Sequence, residues 1–334
     1  MRIVLYFRKP YPYNFSIENV FRDVINGFNG NIEPKIFTSS LHSKGLMPRL
    51  KNAFEAKAAQ GDINHITGDI HYIAPFLEKK KTILTIHDCN FMNRSSALKR
   101  FMLKTFWLDI PVKASEVVTV ISEATKAEVL RYIDCPEEKI RIIPDAISTD
   151  FQFDEKPFNE KEPVLLQIGT KSNKNIPRLA EAISGIKCRL EIVGPLSDEL
   201  RMTLEKFRIK YNNSINLSQK EIVEKYRQCD LLTFVSTSEG FGMPIIEAQA
   251  TGRPVITSNC SSMPEVAGNS ASLVDPFSVE DIRIGILKII EDRSYREELI
   301  EKGRKNAMRF DPQVIADMYA DLYREIYSRN IKNG

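Results

Sequence analysis

The chain has 334 residues, too many for one ordinary hydrophobic core and enough for two domains of roughly 150 residues each. Hydrophobic residues make up 43% and charged residues 27%, which excludes a disordered or fibrous protein. The net charge is only +3, with most basic residues matched by acids, and this argues against a nucleic-acid partner held by phosphate neutralisation.

The opening MRIVLYFRKP contains no long apolar run, so no signal peptide is expected. Short apolar runs at 3–7, 35–38, 64–67, 82–87, 117–120 and 140–144 read as strands. Helical patterns near 17–28, 46–59, 97–108 and 123–133 lie between them. Residues 35–104 carry 12 Lys and Arg against 5 Asp and Glu, a local net of +7. That asymmetry steers an acidic ligand or an anionic membrane face, or is a solvated basic surface. Residues 150–163 (DFQFDEKPFNEKEP) are polar, acidic and proline-bearing and read as an interdomain linker. The alternation then restarts, with strands at 164–169, 189–194, 231–235, 254–258 and 271–274. Helices are expected at 176–183, 198–211 and 220–228, and a run of helical patterns fills 279–326. Strands alternating with helices imply parallel sheets covered on both faces. The chain is therefore expected to hold two doubly wound α/β halves, with ligands at the carboxyl ends of the strands and the default site in a cleft between the halves. Five scattered cysteines, Cys89, Cys135, Cys188, Cys229 and Cys260, form no C-x-x-C pair and read as reduced thiols of a cytoplasmic protein without structural zinc. No apolar run approaches the ~20 residues a membrane span needs.

Residues 236–276 (STSEGFGMPIIEAQATGRPVITSNCSSMPEVAGNSASLVDP) carry the most chemistry. An apolar strand runs into Glu239-Gly240-Phe241-Gly242-Met243-Pro244. The glycines permit close backbone approach, Pro244 suits the first turn of a helix, and Gly252 suits its end. A helix N-terminus behind a glycine loop attracts phosphate. Glu239 and Glu247 flank that pocket, and carboxylates accept hydrogen bonds from sugar hydroxyls. Taken alone, the spacing of the two glutamates reads as a structural strand–turn–helix with surface carboxylates; the whole stretch points to a ligand with both phosphate and hydroxyls.

The same stretch resembles the signature of retaining glycosyltransferase family 4, whose fold is GT-B. The resemblance rests on Glu239 and Glu247 with seven residues between them, Gly252-Arg253-Pro254 and Pro264-Glu265-Val266. It implies two Rossmann-like domains: residues 1–155 on the acceptor side and 156–310 binding the nucleotide-sugar, with a C-terminal helix in 311–334 bracing the first. It also places Glu247 on the nucleotide ribose, Glu239 near the donor sugar and the reaction centre, and the backbone of Phe241, Gly242 and Met243 on the sugar and diphosphate.

Further matches extend it. Residues 164–175 (VLLQIGTKSNKN) resemble the family's diphosphate element, with Gly169 ending a strand and Lys174 on the leaving phosphates. Thr170 stands where many members carry arginine, and Lys171 is placed to share its task. His87, in Thr85-Ile86-His87-Asp88, resembles a family histidine near the transferred sugar; His42, His65 and His71 have weaker claims. Asp145-Ala146 replaces the family's usual Asn-Gly. Leu217 and Ser218 fall where backbone contacts to the base are expected. The N-terminal loop 8–16 departs from the family's double glycine; it is aromatic and basic and reads either as an acceptor-side loop, with Ser16 as a helix cap, or as plain surface.

The resemblance implies metal-independent transfer, with retention, of a sugar from a nucleoside diphosphate sugar to a glycan or lipid-linked glycan hydroxyl in cell-surface glycan or polysaccharide synthesis. The nucleotide-sugar is a co-substrate, and no cofactor is expected. The basic stretch 94–104 followed by Phe106 and Trp107 suggests peripheral contact with the inner membrane face, against the alternative of core packing. Two other readings stand: a GT-B nucleotide-sugar epimerase, and a non-catalytic partner subunit of a transferase. The lack of a G-x-G-x-x-G after the first strand counts against a dinucleotide-dependent oxidoreductase.

Overall fold

The computed structural model describes residues 1–10, 16–92 and 96–332. The expected loop at 8–16 falls largely in 11–15, outside the described residues, as does the start of the basic stretch at 94. The chain divides into two compact units. The first is the chain up to Ala146 together with the helix Pro312–Lys332; the second is Ile147–Asp311.

The first unit is built on six parallel strands: β1 (Arg2–Phe7), β2 (Glu33–Thr38), β3 (Ile63–Ile66), β4 (Thr82–Ile86), β5 (Val117–Val120) and β6 (Ile140–Ile142). Their order is β2-β1-β3-β4-β5-β6, so the winding reverses between β1 and β3. Strands β3, β4 and β5 are buried along their whole length, as apolar and β-branched sequences in a two-sided parallel sheet must be. Polar groups there are satisfied internally. His65 Nε2 meets Thr85 Oγ1, whose hydroxyl also meets Thr119 Oγ1, and His65 Nδ1 meets the Tyr323 hydroxyl, each at 2.7 Å. Burial holds His65 neutral, its pKa pushed down to about 3. The helix Pro312–Lys332 sends Ile315, Tyr319, Tyr323 and Ile326 into the core with Ile3, Leu5 and Ile63.

The helical stretch Ala97–Leu103 continues through a π-helical turn, Lys104–Asp109, into Ile110–Ala114. Pro111 explains the irregularity. It has no N–H for the carbonyl of Trp107 four residues back, and that carbonyl accepts from His71 Nδ1 at 2.8 Å instead. His71 is thereby a structural donor.

The second unit repeats the plan with β7 (Val164–Ile168), β8 (Arg189–Val193), β9 (Tyr211–Ser214), β10 (Leu231–Phe234), β11 (Val255–Ser258) and β12 (Ser272–Val274). The order is β12-β11-β10-β7-β8-β9, and the winding reverses between β7 and β10. Strand β9 was not expected. Its sequence YNNS has no apolar run, because it is an edge strand paired only to β8. Residues 150–163 are not an open linker. Phe151 meets the Tyr226 ring edge-on at 5.3 Å, and Phe153 lies under the Arg304 guanidinium. Lys156 pairs with Asp230, whose carboxylate also accepts from the Asn159 and Val164 amides. The unit boundary therefore falls at Ala146, earlier than residue 155. Among the described residues, no helix is long and apolar enough to cross a membrane.

Candidate active site

Doubly wound sheets bind ligands where the winding reverses, beyond the carboxyl ends of the strands. In the second unit that point lies between the loops after β7 and β10, and the residues singled out from sequence gather there. Gly169 follows β7 with φ +85°, and a Cβ there would stand 2.9 Å from Lys174 Cε. Glycine is required both by the backbone and by the path of the lysine. Lys174 Nζ donates to Glu239 Oε1 at 2.6 Å and lies 4.4 Å from the centre of the Phe234 ring. Asn173 Nδ2 donates to the same carboxylate oxygen at 3.1 Å and to the Ser238 carbonyl at 2.9 Å. Asn175, in the left-handed region at φ 59°, donates from Nδ2 to the Val235 and Pro276 carbonyls. One asparagine thus ties the loops after β7, β10 and β12 together.

The loop from Glu239 to Gly242 is braced from behind. Ser262 Oγ donates to the carbonyls of Phe241 (2.6 Å) and Glu239 (3.1 Å), and Ser261 Oγ donates to Glu239 O at 2.7 Å. The Phe241 ring is buried edge-on to Phe310 at 5.5 Å, so this residue offers a ligand its backbone. With the carbonyls engaged, the amides of Phe241, Gly242 and Met243 have no acceptor among the described residues. They head the helix Met243–Thr251, with Pro244 in its first turn and Gly242 at φ 116°. This is the geometry that binds phosphate oxygens.

Glu247 sits one turn further along. Its Oε2 accepts from the Tyr226 hydroxyl at 2.5 Å. Burial pushes the carboxyl up to about 7, while the Tyr226 hydrogen bond and the Lys174 charge pull it down. Lys174 therefore acts electrostatically on both glutamates. Tyr226 is carried by the helix Gln219–Gln228, which Ser218 caps in a reciprocal box with Glu221. Arg253, almost fully buried, donates to the carbonyls of Tyr226, Arg227 and Asp154 and fixes the end of that helix.

The structure thus brings Gly169, Lys174 and Glu239 into contact, with Glu247 in the field of Lys174. Thr170 is turned aside, its hydroxyl donating to the Pro195 carbonyl at 2.6 Å, and Lys171 is exposed. Leu217 and Ser218 do not hydrogen-bond to Gly169, Lys174, Glu239 or Glu247; Ser218 caps the start of the helix bearing Tyr226. Sequence reading missed Tyr226, Asn173, Asn175, Ser261 and Ser262. The asparagines, beside Lys174, and the two serines, within 236–276, lay in stretches already singled out for the ligand; Tyr226 did not.

His87 lies in the first unit, just after β4. Its Nε2 donates to the Thr67 carbonyl at 2.8 Å, and its Nδ1 stands 3.6 Å from Asp145 Oδ1. Burial alone would lower its pKa; Asp145, with the Thr67 carbonyl and the Asp69 charge, more than offsets this and raises it to about 9. At neutral pH His87 is a cation with both nitrogens turned to acceptors, a fixed charge rather than a base. Asp145, the departure from Asn-Gly, is the counter-ion that makes it so.

Residues 148–306 match the family model described as Glycosyl transferases group 1, and residues 16–151 match that described as Glycosyltransferase Family 4. Two curated relatives are both the Serotype-specific mannosyltransferase WbdA of Escherichia coli. One is 24% identical over 337 residues, covering 85% of this chain and 41% of the relative. The other is 23% identical over 296 residues, covering 75% and 36%. The chain thus spans about two fifths of the length of these relatives. Among solved structures, sucrose-phosphate synthase from Thermosynechococcus elongatus superposes with a TM-score of 0.77 at 16% identity, over 98% of this chain and 100% of that one. Anabaena Alr3699/HepE in complex with UDP and glucose gives 0.76 at 15% identity, over 97% and 99%. WaaG, a glycosyltransferase involved in lipopolysaccharide biosynthesis, gives 0.72 at 16% identity, over 97% and 99%. The fold is GT-B, made of two doubly wound parallel-sheet units.

Proposed function

Since the chain belongs to the group 1 glycosyl transferases, we propose that it moves a hexosyl unit from a nucleoside diphosphate sugar to an acceptor hydroxyl, with retention, in the synthesis of a cell-surface glycan or polysaccharide. The observation that carries this reading is the Lys174–Glu239 pair at the winding reversal of the second sheet, with the open amides of residues 241–243 beside it. Lys174 and those amides neutralise the departing diphosphate. Glu239 and Glu247 accept hydroxyls of the donor sugar and the ribose. The bond between the anomeric carbon and the diphosphate breaks as the acceptor oxygen bonds to the same face. The acceptor's proton passes to the leaving phosphate oxygen. His87, already a cation, contributes charge near the acceptor side rather than taking that proton. No divalent metal is needed in this scheme, because the cationic side chain and the helix N-terminus supply the positive field.

The test is a melting series with UDP, GDP and their sugar conjugates, all in EDTA. Ligand at ~100 times its dissociation constant adds about 2.7 kcal/mol to stability. A selective rise for one nucleotide, with turnover persisting in EDTA, is expected. A flat response to every nucleotide sinks the donor assignment, and activity restored only by added metal sinks the metal-free scheme.

The acceptor side is proposed to work peripherally at the inner membrane face. Leu98 (73% exposed), Phe101 (67%), Met102 (52%) and Phe106 (54%) recur at helical spacing along the stretch beginning at Ala97, an apolar stripe left in water. Lys99 and Arg100 flank it and pair with no carboxylate among the described residues. Apolar residues that enter the headgroup boundary beside cations that meet anionic lipid are the chemistry of interfacial binding. The protein is expected to sediment with phosphatidylglycerol-rich vesicles and not with phosphatidylcholine ones. Phe101→Glu with Met102→Glu should abolish sedimentation; equal sedimentation of wild type and variant would refute membrane contact.

A further inference from the structure

The winding of the first sheet reverses between β1 and β3, and a cavity of about 430 Å³ opens there. Arg8 and Lys9 reach it from the end of β1, Asp69 from the end of β3 and Asp88 from the end of β4. Arg49, on the helix Leu46–Ala58, and Trp107 form the opposite wall. Both signs of charge line this cavity, but they are not equally engaged. Arg8 is already paired, with Glu18 at 3.0 Å and with Asp69. Arg49 and Lys9 have no carboxylate partner among the described residues. Lys9 Nζ donates to the Ser40 carbonyl at 3.2 Å. Arg49 Nε donates to the Ser43 carbonyl at 3.1 Å, and its guanidinium lies over the Trp107 ring at 4.6 Å and the Tyr72 ring at 5.9 Å.

Arg49 is therefore locked in place by one nitrogen and by its flat face, with its two terminal nitrogens left over. A half-buried arginine held this way is pre-organised for a planar or tetrahedral anion, which it meets through two parallel hydrogen bonds. Holding it by stacking rather than by a counter-charge leaves its full charge for a ligand.

Resting on the glycosyltransferase reading above, we propose that this cavity takes the acceptor, and that the acceptor is an acidic sugar whose carboxylate or phosphate is gripped by Arg49 with Lys9. A charge-assisted bidentate contact corresponds to roughly a 10–100-fold change in affinity. The anion, rather than the sugar ring alone, is then what selects the acceptor.

The experiment uses the whole chain and three probes: methyl glucoside, methyl glucuronide and glucose 6-phosphate. Their binding is measured by saturation-transfer NMR titration in wild type, Arg49→Gln and Arg49→Lys. Melting shifts with the nucleotide-sugar that stabilises the wild type are recorded alongside. The expected result is that at least one acidic probe binds ten times or more as tightly as the glucoside. Arg49→Gln removes that preference, Arg49→Lys keeps part of it, and both variants keep the nucleotide-sugar shift. Preference for the glucuronide assigns a carboxylate; preference for the phosphate assigns a phosphosugar. Equal binding of the neutral probe overturns the proposal, as does acidic binding indifferent to Arg49→Gln. So does binding of no probe while the nucleotide-sugar shift persists. Loss of that shift in the wild type is a different failure, and it removes the donor reading instead.

Discussion

Lys174→Ala is expected to lower turnover by about 100–1,000-fold with little change in KM for the nucleotide-sugar, the loss typical of removing one group that stabilises developing negative charge. In the proposed scheme the ground state of the donor already spreads its diphosphate charge over the amides at the head of the helix Met243–Thr251. The lysine matters most when the bond to the sugar breaks and a further charge appears on the leaving oxygen. Two controls separate this role from a structural one. Glu239→Gln removes the ion-pair partner while leaving the lysine its charge, so it should lose sugar recognition, seen in KM, before it loses turnover. Gly169→Ala places a Cβ 2.9 Å from Lys174 Cε at a backbone φ of +85°, and should reproduce much of the Lys174→Ala loss without touching the amino group. Single-turnover rates with the three variants decide the matter. If Lys174→Ala changes KM alone, the lysine binds the donor in its ground state and does not serve the chemical step.

Much of this site could be read from the chain because its parts are local. The run Leu231–Phe234, the glycine loop and the helix from Met243 are contiguous in sequence, and so is the stretch from β7 to Lys174. Periodicity located these elements because their strands are buried on both faces and must be apolar. What the sequence did not disclose lies in pairings across the fold. Nothing in the residues around Tyr226 announces that its hydroxyl meets Glu247, since the helix Gln219–Gln228 reads simply as a polar surface helix with one buried stripe. Strand β9 was hidden because an edge strand of Tyr, Asn and Ser has no hydrophobic signal. Residues 150–163 looked like a linker because charge and proline dominate them, while two phenylalanines, Phe151 and Phe153, fasten them to the second unit. The state of His87 was equally out of reach. A histidine after a strand is open to several tasks, and it is chiefly the carboxylate of Asp145, far along the chain, that keeps the proton on this one.

Glu247 gives the second large effect, and it is a pH effect. Burial holds its carboxyl at about 7, against an ordinary value of 4.5. In the proposed scheme ribose hydroxyls bind the ionised form, so affinity for a nucleotide-sugar should weaken roughly tenfold from pH 8 to pH 6, where about nine tenths of the sites must first lose a proton. A nucleotide-sugar is the proper probe, since its diphosphate has no proton of its own to lose in that range. The stability of the free protein moves the other way. Between pH 4.5 and 7 the unfolded chain has released this proton and the folded chain still holds it, so stability falls as pH rises and levels off above 7. For a half-buried group the full drop should be about 1–3 kcal/mol. Glu247→Gln removes the titration, so it should bind weakly at every pH and gain stability over the wild type as pH rises from 5 to 8. Tyr226→Phe supplies the discriminating case. Its hydroxyl is one of the two influences holding the carboxyl down, so deleting it should move the binding midpoint to higher pH while leaving tight binding recoverable in alkaline buffer. A midpoint unmoved by Tyr226→Phe would mean that the hydroxyl does not control the charge of Glu247. A pH-independent wild type would remove Glu247 from the nucleotide altogether.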